Sequence, residues 1–244
     1  MASLSARAPL FLIPLLFALD TAAVSDESPA PGGAAQRWDQ RYDRESYVYG
    51  EDPVVFLTEQ IGLLPKGKAL VLAAGEGRNA VYLAQQGFQV VAVDISAKGL
   101  EKCRALAAAR GVKLETVVAD LDTYDMGESR YDLITDFYYH DASLLPRVVM
   151  ALKPGGFFIL QNFSIDQLTT NGFGPRNPDW LVHPNQLLAA FAGLRIRYYE
   201  DAVVELDEGM HKGPGAVVRL LVQKERVVLS PLARPLFCLG LTLH

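Results

Sequence analysis

Residues 68–96, KALVLAAGEGRNAVYLAQQGFQVVAVDIS, constrain the fold more than any other stretch of this chain. An apolar run, 68–74, meets Gly75. A helical segment, 78–86, places Ala80, Leu83 and Ala84 on one face and stops before Gly87, and a second apolar run, 88–94, closes on Asp94. Short apolar runs bounded by glycines read as strands buried on both faces. Two such strands with a helix between them pair in parallel through a right-handed crossover.

The alternation continues. Ser96 precedes a helix whose Leu100, Cys103, Leu106 and Ala107 share a face, closed by Gly111. Residues 113–119 and 131–138 read as strands. A helix over 143–152 carries Pro146 near its first turn and stops at Lys153-Pro154, and 156–163 is a fifth strand after a KPGG turn. Beyond a Gly/Pro/Asn-rich segment come a helix at 184–192 and two strands, 194–205 and 216–223, around the turn-rich LDEGMHKGPG. The pattern predicts one α/β domain: a doubly wound, mainly parallel, Rossmann-like sheet ending in an antiparallel hairpin. With 50% hydrophobic residues and a net charge of −5, the chain offers no global basic field for nucleic acid or an anionic membrane. Cys103 and Cys238 have no metal spacing and form no redox motif; Cys103 falls on a core-facing helix position.

The ends have a different character. Residues 8–19, APLFLIPLLFAL, follow Arg7 and precede small residues, the order of a secretory signal with cleavage after Ala23 or Ser25. The run is too short for a stable membrane span, which takes about 20 apolar residues. Asp20, Pro9 and Pro14 fit a signal less well, and a misassigned start codon or a structureless leader are the alternatives. The expected organisation is a leader over 1–25, a Pro/Gly/Ala-rich linker over 26–37, the domain over 38–224 and a tail over 225–244 without an assigned role.

Gly75-Glu76-Gly77-Arg78-Asn79-Ala80 satisfies G-x-G-x-x-[GA] between a strand and a helix, where glycines permit close backbone approach and a helix N-terminus favours an anionic group. Asp94, ending the next strand, suits ribose hydroxyls. The pattern alone serves NAD or S-adenosylmethionine (SAM). Glu76 inside the loop would repel a pyrophosphate but suits a ligand with an ammonium and a sulfonium. The length leaves no room for a separate substrate domain of the size many dehydrogenases carry, and the closing antiparallel pair is atypical of the doubled dinucleotide fold.

The run 71–96, with LKPGGFFIL at 152–160, resembles the class I SAM-dependent methyltransferases. WDQRYDRESYVYGEDPVVFL at 38–57 ahead of GEGRN resembles the branch that holds the tellurite-resistance and thiopurine methyltransferases. The resemblance implies SAM as cofactor, with Gly75, Glu76 and Gly77 along its methionine part, Asp94 and Ile95 at the ribose, and Asp120 and Leu121 beside the adenine. It also exposes a departure. Strand one often carries an acidic residue where this chain has Val71, and a glycine where it has Ala73, which leaves the partner of the SAM amino group open between backbone carbonyls and Glu76.

The site of an open α/β sheet lies beyond the carboxyl ends of its strands. There Tyr138, Tyr139 and His140 are the candidate catalytic residues, His140 as base or donor, or else, with Asp141, as a shaper of the turn before the next helix. Tyr47 and Tyr49, ahead of the sheet, are candidates for a lid over the ligands. His211, in the turn-rich stretch, is a candidate substrate contact or an exposed turn residue. Arg176, on the loop over 164–180, is a possible anion contact or a solvated charge, and His183 reads as structural. No metal site is expected. The leading function is methyl transfer from SAM to a small-molecule nucleophile, a thiol or chalcogen oxyanion, and not to nucleic acid, because 136–139 lacks the prolines of the amino-methyltransferase motif. The alternatives are an NAD(P)-linked oxidoreductase and a non-catalytic SAM-binding homologue. The leader points to export, whereas a need for SAM points to the cytoplasm; the oligomeric state is left open.

Overall fold

The computed structural model describes residues 33–226. The leader, most of the linker, and the tail beyond residue 226, with Cys238, lie outside the described residues. Seven strands form one sheet in the order β3-β2-β1-β4-β5-β7-β6. They are β1 (Lys68–Leu72), β2 (Gln89–Asp94), β3 (Glu115–Val118), β4 (Tyr131–Phe137), β5 (Leu152–Phe163), β6 (Arg195–Glu208) and β7 (His211–Gln223). The first five are parallel neighbours, and β7 pairs antiparallel with β5 and β6. This is the expected mainly parallel sheet with a terminal hairpin.

The helices are α1 (Ala34–Tyr42), α2 (Val55–Gln60), α3 (Arg78–Gln85), α4 (Ala97–Ala109), α5 (Leu145–Ala151) and α6 (Gln186–Ala190). On one face of the sheet, α2, α3 and α4 bury Phe56, Leu57, Leu83, Leu100, Cys103 and Leu106. On the other, α5 and α6 bury Leu145, Val148, Leu187 and Phe191, with the Phe191 ring 5.3 Å from that of Phe158. Each such side chain removed from water contributes about 1.5–3 kcal/mol. The crossovers after β1 and β4 therefore lie on opposite faces, and the sheet's topological switch point falls between these two strands. Among the described residues, no helix is long and apolar enough to cross a membrane.

Four local features differ from the sequence expectation. Helix α1 begins at Ala34, inside the stretch read as linker. Its Asp39 Oδ1 accepts hydrogen bonds from Ser96 Oγ (2.6 Å) and the Lys98 N–H (3.0 Å), so a residue of α1 helps cap α4, whose own cap is Ser96 accepting from the Gly99 N–H. Strand β5 starts at Leu152, because pairing with β4 resumes across a register shift that bulges residues 153–156 out. Helix α6 is only five residues long. The largest departure is the hairpin. The stretch expected as a turn-rich loop is strand almost throughout, with Glu208 opposite His211 and only Gly209 and Met210 at the turn. Its glycines and proline suggested a loop, but the long antiparallel ladder overrides local propensity.

Candidate functional site

Strand β1 ends at Leu72, and the chain turns into the glycine loop through Ala73, whose φ is +44°. Gly75 (φ +51°) and Gly77 (φ +93°) adopt left-handed backbone, and space as well as conformation requires them. A Cβ on Gly75 would stand 2.8 Å from the Tyr42 hydroxyl, and one on Gly77 would stand 2.3 Å from Cys103 Sγ. The loop is thus pinched between α1 and α4. Burial pushes the Cys103 thiol up to about 12, so it is a core group and not a nucleophile.

Asp94 closes β2 with its carboxylate turned back on this loop. Oδ2 accepts from the Gly75 N–H at 2.7 Å and Oδ1 from the Ser96 N–H at 2.8 Å. Burial raises its pKa, and the two amide bonds act in the opposite direction. Each oxygen keeps a lone pair for a further donor. Ile95 follows, half-buried. At the end of β3, Leu121 is buried, whereas Asp120 is exposed and accepts from the Asp122 N–H. Gly75, Gly77, Asp94, Ile95, Asp120 and Leu121 therefore line adjacent strand ends, β1 to β3, as a nucleoside-type ligand requires.

Glu76 is spent differently. Its Oε2 accepts from the Val48 N–H (2.7 Å) and the Tyr49 N–H (3.2 Å), and its Oε1 pairs with Lys102 at 2.5 Å. The buried carboxylate anchors the segment between α1 and α2, an arm that three more hydrogen bonds hold. Arg78 donates to the Tyr49 carbonyl (3.0 Å), Asn79 Oδ1 accepts from the Val54 N–H (2.9 Å), and Glu208 Oε1 accepts from the Val55 N–H (3.0 Å). The hairpin tip presses on the arm as well, where a Cβ on Gly209 would stand 2.0 Å from the Tyr49 carbonyl oxygen.

Beneath the arm the structure gathers some of the expected acceptor-side residues and separates others. Tyr138 (φ +63°), Tyr49 and His211 come together, with ring centroids 3.9 Å apart for Tyr138 and His211 and 5.4 Å for Tyr49 and His211; Phe163 and Phe173 complete a box of four aromatic rings around the imidazole. His211 is 5% exposed and is therefore not the exposed turn residue considered from sequence. Burial, then Arg78 and Arg41, depress its pKa to about 3, and its buried Nδ1 has no hydrogen-bond partner. The Tyr138 hydroxyl donates to Glu208 Oε2 at 2.6 Å and accepts from Gln161 Nε2 at 2.5 Å, and burial holds its proton on well above the ordinary tyrosine value. Arg78, 8% exposed, lies over the Tyr138 ring at 5.8 Å and, among the described residues, has no carboxylate within 4.0 Å.

Tyr139 and His140 face away from this box. Tyr139 packs on the α5 side of the sheet, where burial raises its pKa. His140 is half-buried, and desolvation lowers its pKa. Tyr47 packs against the core on the α3–α4 face, with its hydroxyl donating to the Lys102 carbonyl. Arg176 ties its own loop through the carbonyls of Gln167, Thr170 and Gly172, and His183 is exposed. Sequence reasoning missed Arg78, Glu208, Gln161 and Asp136. Arg78 was in view inside GEGRN; the others are brought in by strand pairing, which no local motif signals. Among the described residues, no group of three or more His, Cys, Asp or Glu could hold a metal ion.

Residues 69–156 match the family model described as a methyltransferase domain. An uncharacterized methyltransferase of Synechocystis sp. is 32% identical over 143 residues, covering 56% of this chain and 59% of that protein. A probable thiol methyltransferase 2 of Arabidopsis thaliana is 32% identical over 124 residues, covering 47% of this chain and 54% of that one. The chain thus spans between half and three fifths of these curated relatives. Among solved structures, TehB from Haemophilus influenzae superposes with a TM-score of 0.61 at 17% identity, over 78% of this chain and 67% of that one, a likeness of fold.

Proposed function

We propose, for a chain that belongs by domain and fold to the class I SAM-dependent methyltransferases, that it methylates a small soft nucleophile, a thiol or chalcogen anion. The residues present fit SAM. Gly75 and Gly77 carry the chain through the left-handed turn after β1, and Asp94 offers spare lone pairs at the end of β2. SAM when bound supplies a methyl group on a sulfonium, so that one in-line displacement breaks the sulfur–methyl bond as the nucleophile–methyl bond forms.

The protein's part is then to align the acceptor and exclude water. The observation that carries the acceptor class is the box around His211 together with Arg78. The imidazole is neutral at physiological pH and a weak base, the Tyr138 hydroxyl keeps its proton, and both oxygens of Glu208 already accept hydrogen bonds. With no free base in the box and a guanidinium that lacks a carboxylate partner, the arrangement favours a nucleophile that arrives ionised, as soft thiols and chalcogen anions do near neutral pH. The name of the thiol methyltransferase relative accords with this reading.

The test is calorimetry with SAM and with NAD, followed by turnover on hydrosulfide, small thiols and selenide. Binding of SAM with methylation of at least one of these acceptors is expected, with a rate that follows the acceptor's own ionisation. Tight NAD binding without SAM binding would refute it, and SAM binding without turnover on any soft nucleophile would favour a non-catalytic homologue.

A further inference from the structure

The resemblance to the methyltransferases left one cofactor group without a partner. The residue of β1 that would offer a carboxylate is the apolar Val71, buried among helices α3 and α4. Glu76, the other acid in the loop, is occupied by two arm amides and Lys102, and Asp94 by the amides of Gly75 and Ser96. Both oxygens of Glu208 serve Val55 and Tyr138.

One more buried acid stands at these strand ends. Asp136, the penultimate residue of β4, is in register with Leu72, the final residue of β1. It therefore sits at the switch point of the sheet, beside the place where the chain leaves β1 for the glycine loop. It is 3% exposed, and its buried Oδ1 has no hydrogen-bond partner. The Asn162 side chain of β5 and the Tyr139 N–H are the donors that face the carboxyl, and Asp141 in the following turn is the nearby charge. An unmet polar atom costs about 1–3 kcal/mol when buried, so its persistence calls for a cause. The backbone on both sides is strained in the same way: Ala73, just past Leu72, and Tyr138, two residues past Asp136, are non-glycine residues with positive φ. Such conformations cost of order 1–3 kcal/mol each and cluster where ligands are held.

We propose that Asp136 is the carboxylate that receives the ammonium of the cofactor's methionyl group, in place of the acid missing from β1. The proposal rests on SAM being the cofactor. Without ligand, burial lifts the Asp136 pKa to about 8, and the carboxyl is largely protonated at pH 7. An ammonium arriving at Oδ1 supplies both the missing hydrogen-bond donor and a positive charge. Both favour the ionised form, so binding expels a proton from Asp136 to solvent.

The experiment is titration calorimetry of the full chain with SAM, and with S-adenosylhomocysteine, at pH 7 in phosphate and in Tris, whose ionisation enthalpies differ. The wild type should release a proton with either ligand, since both carry the ammonium. Asp136→Asn, close in shape, should lose that release and bind both ligands roughly tenfold to a hundredfold more weakly, the worth of a hydrogen bond to a charged group. Equal affinity and equal proton release in Asp136→Asn would overturn the proposal, as would a wild type that binds SAM with no proton released. The wild-type arm keeps the idea testable even if the variant fails to fold. A wild type that binds neither ligand refutes the SAM reading itself, a distinct result from SAM binding that ignores Asp136.

Discussion

The ends of β2 and β4 carry the same residue in two states of completion. Asp94 and Asp136 are both buried aspartates at the carboxyl edge of one sheet, and burial raises the pKa of each. Asp94 has an amide on each oxygen, from Gly75 and Ser96, and so fastens the glycine loop to the start of α4. Asp136 has a bare Oδ1 and fastens nothing on that side. The first aspartate builds the site and the second waits for what enters it. Burial alone does not tell a structural acid from a ligand-facing one; the sharing of donors between its two oxygens does.

The sharpest way to break this contrast is to remove the two side chains in turn. Asp94→Ala should cost on the order of 3–5 kcal/mol in urea unfolding, because two buried amides lose their acceptor at once. A loss below about 1 kcal/mol would mean the loop holds itself. Lys102→Ala comes next, at about 1–2 kcal/mol, because Glu76 keeps its two amides but loses its cation. Its readout is faster proteolysis within residues 43–54, with the sheet intact. Asp136→Asn should have the smallest effect on the ligand-free protein, under about 1 kcal/mol at pH 7.

The same variant sharpens the contrast through pH. The folded pKa of Asp136 is raised to about 8 from 3.8, so the folded state holds the proton more tightly than the unfolded chain does. That contribution is complete below about pH 4 and is lost as pH rises through 8. His211 has the opposite sign. Depressed to about 3, it contributes stability above pH 6.5 that is lost as pH falls toward 3. Asp136→Asn should therefore flatten the decline in stability between pH 6.5 and 8 and leave the acid limb in place. A variant whose alkaline limb matches the wild type would show that Asp136 ionises freely without ligand.

The contrast also separates what the chain's sequence discloses from what it conceals. The parallel half, β3 to β5, is legible because each strand is a short apolar run, each helix shows a 3.6-residue face, and the glycine loop marks its own place. Asp94 is legible for the same reason, since it ends a strand beside that loop. The hairpin is less so. Its glycines and Pro214 mimic a loop, which hid Glu208 and set His211 in the wrong environment. Asp136 lies in plain view within DFYY, but only the pairing of β4 with β1 sets it against the glycine loop, and only a census of donors reveals the free oxygen. Tyr138 and Tyr139 are adjacent in sequence and face opposite sides of the sheet, as successive side chains along a strand do.

Asp39 gives the arm a practical meaning for anyone who shortens this protein. It sits on α1, yet its carboxylate bonds at the first turn of α4, which follows Asp94. A protein trimmed to begin at Glu45 would keep every strand and every glycine of the loop, and a domain boundary drawn from the sheet alone would call it whole. It would nonetheless expose the amide end of α4 and strip Tyr42 from above Gly75. The smallest independent unit of this fold therefore begins before α1, two helices ahead of its first strand.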